Sequence, residues 1–236
     1  MEVLTRNRVL TALDGHDRTA ILAKCERVEL TARTRLDRVG ETTSAMHFPE
    51  TAVISTIATY SDGTSIEMAN IGREACTGIG LILGHPRQLN SNEVQLAGMA
   101  LKLPVEAFAT LRTARPAFEA ALFSTVRAVF YQVMVSGACN GAHSTRQRLA
   151  RWLLTMQDRS DTVVMDLTHG FLAEMLGVRR ATVSEAMVTL KGEGLIAYDR
   201  GRIQIADPAG LKAASCECYQ LVRNAYATLL PENRKY

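Results

Sequence analysis

Between Val9 and Leu103 the apolar positions come in short runs broken by turn residues. The opening stretch, Val9–Val28, spaces Leu10, Leu13, Ile21 and Leu22 as a helix does. Strand-like runs follow at Val28–Thr31, Ala45–Phe48, Ala52–Tyr60, Ser65–Ile71, Asn92–Ala97 and Met99–Leu103. Phe48-Pro49-Glu50, Ser61-Asp62-Gly63, Ile71-Gly72-Arg73 and Ala97-Gly98 are turn signals between them. Many short strands at regular spacing predict a β-sandwich or barrel. Ala52–Tyr60 and Ser65–Ile71 read as an antiparallel hairpin around Ser61-Asp62-Gly63-Thr64.

The period changes over Val105–Val135. Pro104 and Pro116 stand where helices begin, since a missing N–H costs nothing there. From Ala117 onward Leu122, Val126, Val129 and Val133 recur at steps of four and three, and Phe118, Phe123, Phe130 and Met134 widen the stripe. A helix this apolar needs cover on more than one side. One side is expected on the β domain. The other suits a second copy of the same helix, which makes Leu122, Val126, Val129 and Val133 the expected dimer interface; burial within a single chain is the competing reading. Gly137-Ala138-Cys139-Asn140-Gly141 is expected to break the helix as a hinge. Beyond it, Ser144–Leu154 has an amphipathic pattern, with Leu149, Trp152 and Leu153 inward and Arg146, Arg148 and Arg151 outward. Pro208–Leu230 is expected to be helical, packing through Leu211, Tyr219, Leu221 and Leu229.

The most specific pattern lies between these two. Leu172, Ala173 and Leu176 mark one face of a short helix, and Gly177 stands where a tight turn needs positive φ. Val178 is expected between the helices. A second helix follows with Val183, Ala186, Met187 and Leu190 inward and Arg179, Arg180, Thr182, Ser184 and Glu185 outward. This is the layout of a helix-turn-helix whose second helix enters a DNA major groove. Leu195–Tyr198 and Arg202–Ile205 then flank Asp199-Arg200-Gly201 as a small hairpin, a wing with Arg200 and Arg202 at its tip, suited to phosphate.

The 236 residues allow one large domain or two small ones, and a net charge of +3 leaves any nucleic-acid affinity to a local patch. No signal-peptide layout opens the chain, and no apolar run is expected to cross a bilayer, so a cytoplasmic protein without membrane contact is expected. The cysteines, Cys25, Cys76, Cys139, Cys216 and Cys218, are odd in number and scattered. A disulfide framework is not expected in a reducing compartment. Cys216-Glu217-Cys218 is closer than an ordinary metal-ligand pair, so all five are expected to pack as small apolar side chains.

In this order, the elements resemble the Crp/Fnr superfamily of bacterial transcription regulators. The resemblance covers nearly the whole chain and is carried by Arg146–Leu154, Leu172–Leu190, Gly194-Leu195-Ile196 and Arg200-Gly201-Arg202-Ile203. It implies an α+β fold: a jelly-roll, cyclic-nucleotide-binding-like domain over 1–104, a dimerisation helix and hinge over 105–141, and a winged helix-turn-helix over 142–236. It further implies a homodimer on a palindromic operator in double-stranded DNA, with RNA polymerase as a further partner. Arg180, Ala181 and Glu185, with Arg179 beside them, fall at base-reading positions: Arg180 suits guanine O6 and N7, and Glu185 suits cytosine N4. Thr168, Thr182, Ser184, Arg200 and Arg202 fall at phosphate positions.

The effector is less well marked. The cyclic-nucleotide cassette would run from Gly72, with Gly78 at its glycine, but Ile79 takes the carboxylate position, the arginine position falls near Asn90–Asn92, and Arg87 is off register. A buried phosphate without a cation is unfavourable, so cyclic AMP and cyclic GMP are not expected. A pocket around Gly72, Glu74, Gly78 and Arg87 would hold an unknown small molecule or none. Only Cys25 lies near the N-terminus, and Cys76 with His85 is a thin ligand pair, so neither an iron–sulfur cluster nor haem is expected as cofactor. Two other readings stay open: an effector-binding module whose winged helix binds protein, and an enzyme using Glu67, Glu74 and His85. The basic wing weighs against the first. The lack of a catalytic grouping or phosphate loop weighs against the second, so no enzyme is expected.

Overall fold

The alternating runs of the first hundred residues close into two antiparallel sheets packed face to face. In the computed structural model, which describes residues 4–230, α1 (Arg8–Thr11) and α2 (Gly15–Leu22) lead into β1 (Glu26–Leu30), β2 (Arg35–Asp37), β3 (Ala45–Pro49), β4 (Val53–Thr59) and β5 (Ser65–Ile71). A single helical turn, α3 (Ile79–Ile82), precedes β6 (Ser91–Leu96) and β7 (Gly98–Pro104). One sheet has the order β1-β7-β3 and the other β2-β6-β4-β5. Met46, Phe48, Ile54, Ile71, Ile82 and Leu103 are fully buried between them. The expected hairpin is β4–β5, with a register shift between Thr56 and Ile57. β2 and α3 were not expected: each is too short to show a period of its own.

The two prolines act as expected. Pro104 caps α4 (Val105–Ala114) and Pro116 opens α5 (Pro116–Ala142). The helix does not break at Gly137–Gly141 but runs through to Ala142, where His143 is extended and Ser144 caps the next helix with a reciprocal Gln147 contact. The glycines weaken helix propensity by about 1 kcal/mol each, and packing of a later helix along α5 holds the turns together. By length and hydropathy alone α5 would suffice to cross a membrane, contrary to the expectation of no such run. Its Phe118 and Leu122 instead enter the core of the β domain, Phe118 lying 6.3 Å from Phe48 between ring centroids.

The remainder is α6 (Thr145–Arg159), β8 (Val164–Asp166), α7 (His169–Leu176), α8 (Arg180–Gly192), β9 (Ile196–Asp199), β10 (Arg202–Ile205), α9 (Pro208–Ala214) and α10 (Cys218–Leu229). Leu149, Trp152 and Leu153 of α6 are buried among α7, α8 and the sheet β8-β10-β9. Arg148, expected outside, is buried because its guanidinium donates to the carbonyl of Leu176 at the end of α7. Pro208–Leu230 divides into two helices. Leu211 and Tyr219 are buried as expected, whereas Leu221 is exposed, and α10 packs on α5.

Candidate nucleic-acid interface

Thr168 caps α7 by accepting from the Phe171 N–H at 3.2 Å. Gly177 ends α7 at φ 62° and ψ 43°, the left-handed geometry that only glycine takes without strain. Val178, expected to be buried in the turn, is half-buried there. Arg179 is extended and starts α8. Val183, Ala186, Met187 and Leu190 are buried against α6 and α7. That leaves Arg180, Ala181 and Glu185 exposed on the outer face, with Val188 71% exposed one turn on. Arg179 is set apart from them, in a cleft shared with Asp62–Ile66 of the β4–β5 hairpin.

Ser184, expected at phosphate, is turned inward. Its hydroxyl donates to the Arg180 carbonyl at 3.1 Å and lies 2.8 Å from His169 Nδ1. The His169 ring stacks on Tyr198 of β9 at 4.7 Å, so one small network ties α7, α8 and the wing. Burial, and then the positive charge of Arg180, hold the His169 pKa below the usual histidine range. Thr182 is half-buried.

The wing forms where the sequence places it. Arg200 at φ 44° and Gly201 at φ 83° make both central residues left-handed, the geometry a two-residue hairpin turn requires. Both Arg200 and Arg202 are exposed. Arg202 lies 3.9 Å from Asp166 of β8, an exposed pair of little energetic weight. β8 was missed because three residues carry no readable alternation.

The residues expected around an effector do not converge. Gly72 is buried because α6 ends against it: a Cβ there would collide with the side chain of Arg159. Arg159 is itself buried. It pairs with Glu74, donates to the Asn70 carbonyl at 2.8 Å and to its Oδ1, and donates to Gln132 Oε1 at 3.0 Å. The Tyr226 hydroxyl also donates to Gln132 Oε1, at 3.1 Å, and burial pushes that phenol's pKa up. Glu67 accepts from Trp152 Nε1 at 3.1 Å and from Ser55 and Asn70; burial raises its pKa and these hydrogen bonds oppose the rise. Gly72 and Glu74 therefore belong to a junction between the β domain and α6. Gly78 lies elsewhere, at the start of α3 over Met46, and Arg87 is exposed, donating to the Gly40 carbonyl at 2.8 Å. Glu74 is buried, whereas His85 is exposed and its Nδ1 lies 3.0 Å from the Arg87 carbonyl.

The stripe on α5 is also corrected. Leu122 and Val129, expected between two copies, are buried in the chain's own core, and Val126 is half-buried against it. Val133 is 39% exposed, in company with Phe123, Phe130 and Met134. The free apolar face is therefore rotated from the expected one, because the wider stripe left two faces to choose between.

Not all five cysteines are isolated apolar groups. Cys25 and Cys76 are, and burial pushes the Cys25 thiol up to about 12. Cys139, Cys216 and Cys218, however, meet His143, with the four ligand atoms within 4.8 Å of one another. Spacing within Cys216-Glu217-Cys218 does not reveal this cluster, since Cys139 and His143 come from the last turn of α5 and the residue after it. The Cys139 thiol is held well below its usual range, by the Cys216 contact first and by the charge of Arg151.

Residues 147–214 match the model of the Crp-like helix-turn-helix domain. No curated protein matches the chain. Among solved structures it is similar to the c-di-GMP responsive global regulator CLP of Xanthomonas campestris, at 15% identity over 81% of this chain and 99% of that one, with a TM-score of 0.65. It is similar to FixK2 of Bradyrhizobium japonicum, at 14% identity over 81% and 98%, with the same TM-score. A CRP-family transcriptional regulator of Thermus thermophilus is 19% identical over 80% and 96%, again with a TM-score of 0.65.

Proposed function

From a Crp-like helix-turn-helix domain set on the fold of Crp/Fnr regulators, we propose that this protein is a cytoplasmic, sequence-specific DNA-binding transcription regulator that acts as a homodimer. The observation that carries this reading is the exposed face of α8, where Arg180, Ala181 and Glu185 stand together with the wing tip at Arg200 beyond them. Arg180 reads guanine, Glu185 reads cytosine, and Arg179 takes a flanking position. Thr168, Thr182, Arg200 and Arg202 meet phosphate. Ser184 serves indirectly, by fixing α8 on α7 through His169. Two copies pair along α5 through Phe123, Phe130, Val133 and Met134, which supplies the second side that so apolar a helix needs. RNA polymerase is the further partner of such a regulator.

Selection of bound sequences from a random DNA pool with the purified protein, together with its mass by light scattering, tests the reading. A dimer that enriches a two-fold symmetric motif, its half-sites about one helical turn (~34 Å) apart, is expected. A monomer that enriches nothing overturns it.

A further inference from the structure

Cys139 lies in the last turn of α5, and His143 is the extended residue that ends the helix, its N–H donating to the Cys139 carbonyl at 3.1 Å. Cys216 and Cys218 flank Glu217 where the chain enters α10. Cys139 Sγ lies 3.5 Å from Cys216 Sγ, and Cys218 Sγ lies 3.7 Å from His143 Nδ1. With zinc–sulfur bonds near 2.3 Å and zinc–nitrogen bonds near 2.0–2.1 Å, a tetrahedral site has ligand–ligand edges of roughly 3.5–3.8 Å. The two separations lie within about 0.3 Å of their sulfur–sulfur and sulfur–nitrogen edges, and all four ligand atoms lie within 4.8 Å of one another.

The surroundings fit as well. The three thiols are 0%, 3% and 5% exposed, in the order Cys139, Cys216, Cys218. Glu217 Oε2 lies 3.2 Å from His143 Nε2. A carboxylate on that nitrogen holds its proton there and leaves Nδ1 free as a ligand, as carboxylates behind metal-bound histidines do. Three thiolates and a neutral imidazole around a dication carry one net negative charge, which Arg151 on α6 offsets through its field on the cluster. An iron–sulfur cluster would spread its four ligands over two or more iron atoms, so that the four could not all gather around one centre.

We infer that Cys139, His143, Cys216 and Cys218 form a site for a single zinc-type divalent ion. Binding displaces the protons of the three thiols and changes no oxidation state. The ligands flank residues 147–214 on both sides, two before the helix-turn-helix domain and two after it. The ion ties the end of the long helix to the start of α10 and closes the base of that domain. This assignment does not depend on DNA binding.

The test uses the full chain purified without oxidant. Elemental analysis should find one zinc per chain and no acid-labile sulfide. Cobalt(II) added to the chelator-stripped protein should saturate at one per chain, with thiolate charge-transfer absorption and the intense visible bands of tetrahedral coordination. His143→Ala and Cys218→Ser should lower retained zinc at least tenfold, whereas Cys25→Ser should leave it unchanged. The cobalt spectrum needs no variant, so misfolding of a substituted protein does not blunt the test. Stoichiometric iron with sulfide, or reduced wild-type thiols that retain no zinc and give no tetrahedral cobalt spectrum, would overturn the assignment.

Discussion

On the outer face of α8, Arg180 and Glu185 stand in water, whereas at the foot of β5 Glu74 and Asn70 are buried under Arg159. Both regions hold charged and polar groups that sequence reasoning put forward for binding. They differ in what a ligand would meet. An exposed arginine sheds little hydration before it meets a base edge or a phosphate. A ligand in the cavity that Glu74 and Arg159 line together would meet a carboxylate and a guanidinium already paired with each other, the guanidinium also serving Asn70 and Gln132. Breaking that pair would leave a buried charge without its partner, which is strongly unfavourable. The chain thus sets a side chain from the end of α6 against Gly72 and Glu74, whereas the charges of α8 and the wing face outward. The region expected to sense is a joint between domains.

The largest effect should come from breaking that joint. Arg159→Met leaves Glu74 charged and buried without its cation and takes a donor from Asn70 and Gln132. Denaturant unfolding should show a loss of about 3–5 kcal/mol. Adding Glu74→Gln removes the stranded charge and should restore a good part of it. A single-variant loss under about 1 kcal/mol would mean that the joint is not a stabilising element.

The next effect follows pH. His47 of β3 is buried, and burial first, then the charge of Lys102, hold its pKa down at about 4. An unfolded histidine titrates near 6.5. Between those values the unfolded chain binds a proton that the folded chain refuses, so stability is full above about 6.5 and is lost as the pH falls to about 4. The gap corresponds to about 3 kcal/mol. His169, half-buried in the helix-turn-helix, is shifted in the same direction and should lose stability over the same side of neutrality, but less steeply. Unfolding curves across this range should flatten far more with His47→Gln than with His169→Gln.

What could be read beforehand follows from how local each feature is. β5, the prolines at α4 and α5, Gly177 and the Arg200-Gly201 turn all depend on a few neighbouring residues, and all were legible. Arg159 on Asn70 and Cys139 on Cys216 join residues 89 and 77 positions apart, and no spacing rule reaches that far. The stripe of α5 was visible, but which of its faces the β domain would cover was not, since every candidate was equally apolar. Ser184 was placed outside by helical period alone; His169 draws its hydroxyl in.

The smallest effects lie on the exposed side, and they separate two kinds of contact. Arg180→Ala should weaken operator binding by about 1–3 kcal/mol and relax preference at one base pair per half-site. Arg200→Ala should weaken binding to every sequence alike and reduce the salt slope by about one. Neither should shift the unfolding midpoint as Arg159→Met does, because both side chains are exposed. The Arg200 backbone is left-handed, so Arg200→Gly should lose the proposed phosphate contact while relieving the strain of a side chain at φ 44°. Titrations against operator and random DNA at several salt concentrations should place Arg200→Gly with Arg200→Ala in affinity. If Arg200→Gly binds like wild type, the wing acts through its turn geometry and the arginine does not touch phosphate.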